Sequence, residues 1–220
     1  MENTEKTINP ELWKDKAVAA AVKAEKMLWG KHNESIQAWM YEAGFSLATM
    51  REALLGWQVR NTLRPAESWG VEGIDKIRLP EGIIIPVIRE KILRRLVIFR
   101  MGHSHDGHYH TVEGSAPVPL VLHGTTKRTA LVTRELDAIL LHQELGKEWT
   151  VAATGLLPTS ALDDTLAQAD EVRLIAMRGD AERLAPWQPD ATQTHTLESD
   201  SLVSLARAGA LSETLASLFK

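Results

Sequence analysis

The stretch ALVTRELDAILLHQELG, residues 130–146, places a short apolar run before a longer run of good helix formers that ends on a glycine. This order is typical of a β-strand followed by an α-helix. Downstream, the pattern predicts strands at Thr150–Ala153 and Val172–Met177, with a helix at Ser160–Ala169 between them. Because strands that alternate with helices are joined by right-handed crossovers, we expect a small parallel sheet in this part of the chain.

The residues upstream of this stretch have a different pattern. Two β-rich runs, Gly82–Ile88 and Ile92–Arg100, flank a three-residue break and predict an antiparallel strand pair. Helices are predicted at Pro10–Trp29, at Asn33–Ala43, from Ser46 to about Leu55, and twice within Ser201–Phe219, on either side of Gly209. The sequence therefore predicts an α+β protein with a lobe of helices and β-hairpins at residues 1–125 and an α/β lobe at residues 126–220.

The composition is that of an ordinary folded protein. The chain has 220 residues, of which 44% are hydrophobic and 25% are charged. The lack of cysteine excludes disulfide scaffolds, thiolate zinc fingers and cysteine nucleophiles. No apolar run approaches the roughly 18 residues of a membrane-spanning helix, and the first residues lack the pattern of a secretion signal. We therefore expect a cytoplasmic protein that does not contact a membrane.

The net charge of −4 hides a basic strip at residues 76–100. Only Glu81 and Glu90 oppose its seven basic residues, which leaves a charge of +5. The basic members are Lys76, Arg78, Arg89, Lys91, Arg94, Arg95 and Arg100. Alternation along a strand sends Arg94 and Arg100 to one face and Arg95 to the other. The strip is either a solvated hairpin face or a phosphate-binding surface for nucleic acid.

Four histidines are concentrated in HSHDGHYH, residues 103–110. If the Asp106-Gly107 pair forms a two-residue turn, alternation puts all four on one face of a hairpin. The cross-strand pairs are then His105 with His108 and His103 with His110. Imidazoles at that spacing can share Zn²⁺ or Ni²⁺. The alternatives are a polar face that binds no metal and a contact with nucleic acid.

Several short motifs occur in a characteristic order along the chain. They are AGFS (residues 43–46), LLGW (54–57), LPEGIIIPV (79–87), Phe99-Arg100, Tyr109, Gly114-Ser115 and ELDA (135–138). Together they resemble the catalytic core of bacterial replicative primases and of their phage and plasmid relatives, and ELDA resembles the first motif of a TOPRIM domain. The resemblance covers residues 33–190. It implies a primase-like lobe followed by a TOPRIM-like lobe.

The resemblance also implies a metal site, and two of its positions are changed. In a TOPRIM site a glutamate and two aspartates hold Mg²⁺ against phosphate oxygens. Thr133 stands at the glutamate position and Arg178 at the first aspartate position. The remaining carboxylates are the candidate catalytic residues Glu135, Asp137 and Asp180, of which Asp137 and Asp180 would be the magnesium ligands. We therefore expect a degenerate metal site.

Structural roles are available for the two replaced positions. Thr133 is a suitable N-cap for the helix that begins at Glu135. Arg178 can form an ion pair with Asp137 or Asp180, or it can supply positive charge where the metal would be.

The resemblance implies a primase-like TOPRIM protein of DNA replication or mobile-element biology, with impaired metal-dependent nucleotidyl transfer. If active, it would use Mg²⁺ to make RNA primers. It would bind single-stranded DNA or RNA through Arg78, Arg89, Lys91, Arg94, Arg100 and His108. His108 occupies the position where such primases have a lysine. Arg100 follows Phe99 where such primases keep an arginine near the template path, so the resemblance implies a working face on the side of Arg94 and Arg100, and the turn residues Arg89 and Lys91 are expected to reach the same groove. The alternatives are a non-enzymatic interaction module that docks on a helicase or on another replication or defence partner, and a TOPRIM phosphodiesterase or nuclease.

Overall fold

The computed structural model describes residues 7–101, 108–155 and 157–219. The chain divides into two compact units. The first unit holds residues 1–37 and 50–116, and the second holds residues 38–49 and 117–220. The boundary that the sequence predicts after residue 125 falls inside the second unit, and the early segment 38–49 also joins that unit.

The long helix of the first unit, α1 (Pro10–Leu28), begins at the signals that predict it. The Asn9 side chain accepts a hydrogen bond from the Leu12 N–H at 3.2 Å, and a proline occupies the first helical position. Trp13 is buried on the inner face of the helix, where its indole N–H donates to the Glu113 carbonyl at 2.8 Å. Two shorter helices follow, α2 (Glu34–Glu42) and α3 (Leu47–Glu52).

The strands of the first unit are β1 (Gly56–Gln58), β2 (Thr62–Pro65), β3 (Lys76–Leu79), β4 (Gly82–Arg89), β5 (Ile92–Phe99) and β6 (Tyr109–Thr111). Four of them form an antiparallel sheet in the order β1-β4-β5-β6, and β2 pairs with β3. This confirms the predicted β4–β5 hairpin. Leu96 and Ile98 of β5 share one hydrophobic core with Trp13 and Ala17 of α1, so the helix covers the middle of this face of the sheet.

The turn of the β4–β5 hairpin has an uncommon backbone. Glu90 and Lys91 both have positive φ angles, 53° and 63°. Such angles match the type I′ turn, whose twist suits a two-residue hairpin. Further along the pair, a bulge shifts the register so that Val87 pairs with Arg95 and Ile88 with Leu93. Arg94 is therefore the extra residue of β5 at this point.

A five-stranded sheet forms the centre of the second unit. Its strands are β7 (Leu120–Leu122), β8 (Arg128–Val132), β9 (Thr150–Ala153), β10 (Glu171–Ala176) and β11 (Gln193–Thr196). The order is β11-β10-β8-β9-β7, and every neighbouring pair is parallel except β7 with β9. The predicted parallel sheet is confirmed, whereas the two edge strands, β7 and β11, were not predicted.

The helices of the second unit are α4 (Glu135–Leu145), α5 (Asp163–Leu166), α6 (Ala181–Leu184), α7 (Leu202–Arg207) and α8 (Leu211–Leu218). The prediction of one helix over Ser160–Ala169 was wrong, because this segment forms a 3₁₀ turn at Thr159–Leu162 followed by the single turn of α5. Its two aspartates and a threonine favour turns over helix interiors. The two C-terminal helices are confirmed. Among the described residues, no helix combines the length and the apolar composition that crossing a membrane requires.

Candidate metal centre and nucleic-acid surface

The predicted metal-binding carboxylates follow two neighbouring parallel strands of the second unit. β8 leads into α4, whose first turn carries Glu135 and Asp137. β10 leads to Asp180, the residue before α6. All three are buried, with exposed fractions of 3%, 1% and 2%. Because β8 and β10 are adjacent, the carboxylates of Asp137 and Asp180 lie at the same end of the sheet.

Thr133 is bonded to one of these carboxylates. Its hydroxyl donates a hydrogen bond to Asp180 Oδ2 at 2.5 Å, in a buried environment. The interpretation of Thr133 as the N-cap of α4 is wrong, because the cap position belongs to Arg134, which makes no capping hydrogen bond through its side chain. The chain extends one residue further before it becomes helical. At the position that the sequence resemblance assigns to a glutamate, this chain thus has a hydroxyl that donates to an aspartate.

Arg134 supplies the buried positive charge of the site, and the more exposed Arg183 adds to it with its Nη1 at 3.8 Å from Asp180 Oδ1. Its Nη2 lies 3.2 Å from Asp180 Oδ1, and its Nη1 lies 3.8 Å from Asp137 Oδ2. The Nη1 atom also donates to the main-chain carbonyl of Asp200. The side chain is 13% exposed, so this contact is largely shielded from water. Arg134 is not among the site residues predicted from the sequence, although its place between Thr133 and Glu135 was an available signal.

Asp137 is held by backbone groups as well as by Arg134. Its Oδ1 accepts hydrogen bonds from the N–H groups of Leu202 at 2.9 Å and of Val203 at 3.4 Å, at the start of α7. Burial raises the pKa of Asp137 to about 6, and the charge of Asp180 adds to this rise. Arg134 and the two backbone hydrogen bonds act in the opposite direction. Asp137 therefore joins α4 to α7.

Arg178 lies outside this group of residues. Its Nε is 3.7 Å from Glu198 Oε2, its Nη1 is 4.0 Å from Asp200 Oδ1, and its Nη2 donates to the Glu198 carbonyl at 2.6 Å. The side chain is 61% exposed. The expectation that Arg178 pairs with Asp137 or Asp180, or stands in for the metal, is wrong. The backbone after β10 directs Arg178 to the surface. Arg134, and not Arg178, forms the ion pairs with Asp137 and Asp180.

The residues of this site do not fit a magnesium ion. Mg²⁺ requires several oxygen ligands in an octahedral arrangement. Asp137 Oδ1 accepts two backbone N–H groups, Asp180 Oδ2 accepts the Thr133 hydroxyl, and the two remaining oxygens face the Arg134 guanidinium. Within the described ranges, no three His, Cys, Asp or Glu side chains are grouped so that they could hold a metal ion.

The histidine hairpin differs from its prediction in register. Tyr109 pairs with Phe99 and His110 pairs with Ile98, so the cross-strand partner of His110 is not His103. The His110 ring is hydrogen-bonded through Nε2 to the Arg78 carbonyl at 3.0 Å and lies 3.9 Å from Glu113 Oε2. His103 and His105 lie outside the described residues. The metal set of His103, His105, His108 and His110 therefore stays a prediction.

The residues predicted to bind nucleic acid all lie in the first unit, but they do not form one group. Arg89 and Lys91 are at the β4–β5 turn, and Lys91 is exposed. Arg94 lies close enough to α1 to act electrostatically on its residues Glu11 and Lys14. Arg100 is at the other end of β5, about 30 Å from Lys91 at roughly 3.4 Å per residue. The turn residues therefore do not reach the same groove as Arg100.

The predicted working face between Arg94 and Arg100 is also interrupted. Leu96 and Ile98 lie between them on the strand and are fully buried in the core that contains Trp13. A nucleic-acid strand cannot run along a face that α1 covers. Arg95, which is 2% exposed, is not available to such a strand either.

A smaller group, which we call the Arg100 cluster, forms where β5 ends and β6 begins. It consists of Arg78, Phe99, Arg100, His108 and Tyr109. The Arg100 N–H donates to the His108 carbonyl at 2.5 Å, and the Phe99 ring lies 5.3 Å from His108 and 5.1 Å from Tyr109. β3 is joined to this end because the Arg78 carbonyl contacts His110 and the Arg78 N–H donates to Glu113 Oε2 at 3.2 Å. Arg78 is exposed and the other four members are half-buried.

Comparison with sequence families and with curated proteins gives no match. The fold, however, matches solved structures of primases. A DnaG primase catalytic domain bound to single-stranded DNA superimposes with a TM-score of 0.69 and 11% identity, over 94% of this chain and 80% of that one. A DNA primase domain from Pseudomonas aeruginosa also gives 0.69, with 12% identity over 94% of this chain and 78% of that one.

A third similar structure contains duplex DNA. It is the RNA polymerase domain of Mycobacterium tuberculosis primase DnaG in complex with double-stranded DNA, with a TM-score of 0.66 and 10% identity. The match covers 94% of this chain and 80% of that one. At such low identity the similarity establishes the fold, and it confirms the architecture that the sequence motifs predicted. This chain has the fold of a bacterial primase catalytic core.

Proposed function

We propose that this protein binds single-stranded nucleic acid through its first unit and is impaired in metal-dependent nucleotidyl transfer. The fold supports the first part, because similar primase domains have been solved with single-stranded and double-stranded DNA. The contacts of Arg134 support the second part.

The observation that carries the proposal is the position of the Arg134 guanidinium. It lies 3.2 Å from Asp180 and 3.8 Å from Asp137, where it neutralises charge that a metal ion would otherwise compensate. A doubly charged ion about 4 Å from a guanidinium is repelled by roughly 8 kcal/mol at an effective dielectric constant of about 20. Magnesium would have to displace Arg134 and break the hydrogen bond from Thr133 before it could bind.

The Arg100 cluster is the best-supported place for nucleic acid. It combines the cations Arg78 and Arg100 with the rings of Phe99, His108 and Tyr109. Proteins that bind single strands use this combination, since cations contact phosphates and rings stack on bases. Contacts to phosphate carry no sequence information, so we expect weak dependence on base sequence.

Two assays on the intact chain test this function. Fluorescence anisotropy with a labelled single-stranded oligonucleotide should show salt-dependent binding. A primer-synthesis assay with Mg²⁺ and nucleoside triphosphates, run beside an active bacterial primase, should give no primers. Template-dependent primer synthesis at a rate similar to that of the active primase would contradict the impaired site, and a lack of binding at low salt would contradict the nucleic-acid surface.

The second candidate function is a non-enzymatic interaction module that docks on a protein partner. A cationic groove in the first unit favours it. This groove lies apart from the Arg100 cluster, because no cluster residue lines it.

A further inference from the structure

The first unit contains a groove between one face of α1 and the segment that runs from β1 to β2. Its volume is about 650 Å³. On the helix side it is lined by residues at helical spacing, including Lys16, Ala20, Lys23 and Met27. Consecutive members of this set are three or four residues apart, or about one helical turn, so they form a continuous wall.

The charged side chains that line the groove in the described residues are all positive. The cations are Lys16 and Lys23 on α1 and Arg60 and Arg64 on the facing segment, and all four side chains are exposed. In the part of the chain that the structure describes, no acidic residue lines the groove. Within the described ranges, none of the four cations forms an ion pair. The groove therefore offers four cations to a ligand that supplies negative charge.

The rest of the lining is mostly apolar. Ala19, Ala20 and Ala24 leave a shallow space along the helix, and Met27 and Val59 extend into solvent with exposed fractions of 36% and 43%. Exposed apolar side chains beside a concave surface are typical of an interaction site. An apolar ligand surface would be removed from water here at little entropic cost to the alanines.

We propose that this groove binds an acidic amphipathic peptide segment of a partner protein. The apolar side chains of the segment would fill the space above the alanines, and its carboxylates would pair with Lys16, Lys23, Arg60 and Arg64. Nucleic acid fits the groove less well, because single-strand binding uses accessible aromatic faces. The two indoles in the lining, Trp57 and Trp69, are only 6% and 5% exposed.

Selection from a random peptide display library against the intact chain tests the proposal. The selected peptides should be enriched in Asp and Glu interspersed with large apolar residues. Their affinity for the Lys16→Glu, Lys23→Glu double variant should fall at least about tenfold, because attraction becomes repulsion at two positions. Ala19→Trp, which fills the groove without a change in charge, should weaken the same peptides.

Lys26→Glu is the matched control, since Lys26 is an exposed cation on α1 that does not line the groove. This variant should bind the selected peptides about as well as the unchanged chain. The proposal is overturned if no acidic peptides are enriched, or if their affinity is the same for the double variant and the control. A third result would also overturn it: the chain binds no peptide, and the double variant loses the binding of oligothymidylate. The groove would then be a nucleic-acid site. The outcome does not depend on whether the Arg100 cluster binds DNA.

Discussion

Arg134 Nη2 lies 3.2 Å from Asp180 Oδ1 in a part of the second unit where the aspartate is almost completely buried. The same guanidinium faces Asp137 at 3.8 Å. These two carboxylates are the magnesium ligands that the sequence resemblance predicts. This chain therefore compensates their charge with side chains of its own, Arg134 and the more exposed Arg183.

Removal of Arg134 should destabilise the second unit. The change Arg134→Ala removes the buried cation beside Asp137 and Asp180, although the more exposed Arg183 still lies 3.8 Å from Asp180 Oδ1. Removal of one partner from a buried ion pair costs about 3–5 kcal/mol. Arg134→Lys keeps the charge and should cost less. Chemical denaturation of both variants measures the difference. If millimolar Mg²⁺ raises the stability of the alanine variant and not that of the unchanged chain, the vacated site can accept a cation. Equal stability of Arg134→Ala and the unchanged chain would contradict the prediction, since it would show that these ion pairs do not stabilise the folded protein.

Two buried threonines, Thr133 and Thr154, allow the effect of the Thr133 hydrogen bond on stability to be measured against a control. Both are almost fully buried, with exposed fractions of 4% and 0%, but only the Thr133 hydroxyl has a hydrogen-bond partner within the described residues. Thr133→Val should lower the free energy of unfolding by about 2 kcal/mol, because the bond is to a charged acceptor. Thr154→Val should change it little or raise it. Urea denaturation of the two variants gives the comparison, and equal effects would contradict the assigned contact.

Asp137 should make the stability of the chain fall with rising pH. Its pKa is about 6 in the folded state and 3.8 is its ordinary value, so the folded protein binds more protons than the unfolded chain between these values. The contribution is present below about pH 4 and is lost as the pH rises through about 6, with a total of about 3 kcal/mol by linkage.

The change Asp137→Asn removes this titration and keeps an oxygen that can accept from Leu202 and Val203. The difference in unfolding free energy between the unchanged chain and this variant should therefore change with pH between about 4 and 7. Denaturation curves at several pH values measure it. A constant difference over that range would mean that Asp137 does not titrate with a raised pKa.

The main features of the fold were predictable from local patterns. The strand–helix alternation after residue 130 predicted β8, α4, β9 and β10. Strands that are buried on both faces of a parallel sheet are apolar along their length, so they can be recognised in the sequence. The edge strands β7 and β11 were missed because one is only three residues long and the other, Gln193–Thr196, has no apolar residue.

The candidate site was only partly predictable, because part of it depends on contacts between residues that are distant in the sequence. Asp137 and Asp180 could be selected from their positions after strands. The direction of the Arg134 side chain could not be predicted, because its partners, Asp180 and the Asp200 carbonyl, lie far along the chain. Arg178 was assigned the wrong partners for the same reason. The basic strip at residues 76–100 could be recognised from the sequence. That α1 covers the middle of β5 could not, because α1 lies about 80 residues earlier in the chain.

Loss of the Arg100 cluster should weaken binding to single-stranded nucleic acid. The double variant Arg78→Ala, Arg100→Ala should reduce the slope of log affinity against log salt by about 1.4, at roughly 0.7 per phosphate contact. The control Arg89→Ala, Lys91→Ala removes two cations at the opposite end of the hairpin and should leave the slope nearly unchanged. Fluorescence anisotropy at several salt concentrations, with circular dichroism to check folding, provides the measurement. Equal slopes for the two double variants would place the surface elsewhere.

Titration of the intact protein with Mg²⁺ by isothermal calorimetry tests the central claim most directly. Because Arg134 and Thr133 occupy the carboxylates of Asp137 and Asp180, the affinity should be no tighter than millimolar, and Asp180→Ala should not change it. Micromolar binding that disappears in the Asp180→Ala variant would contradict this account, since it would show that the carboxylates still form a metal centre.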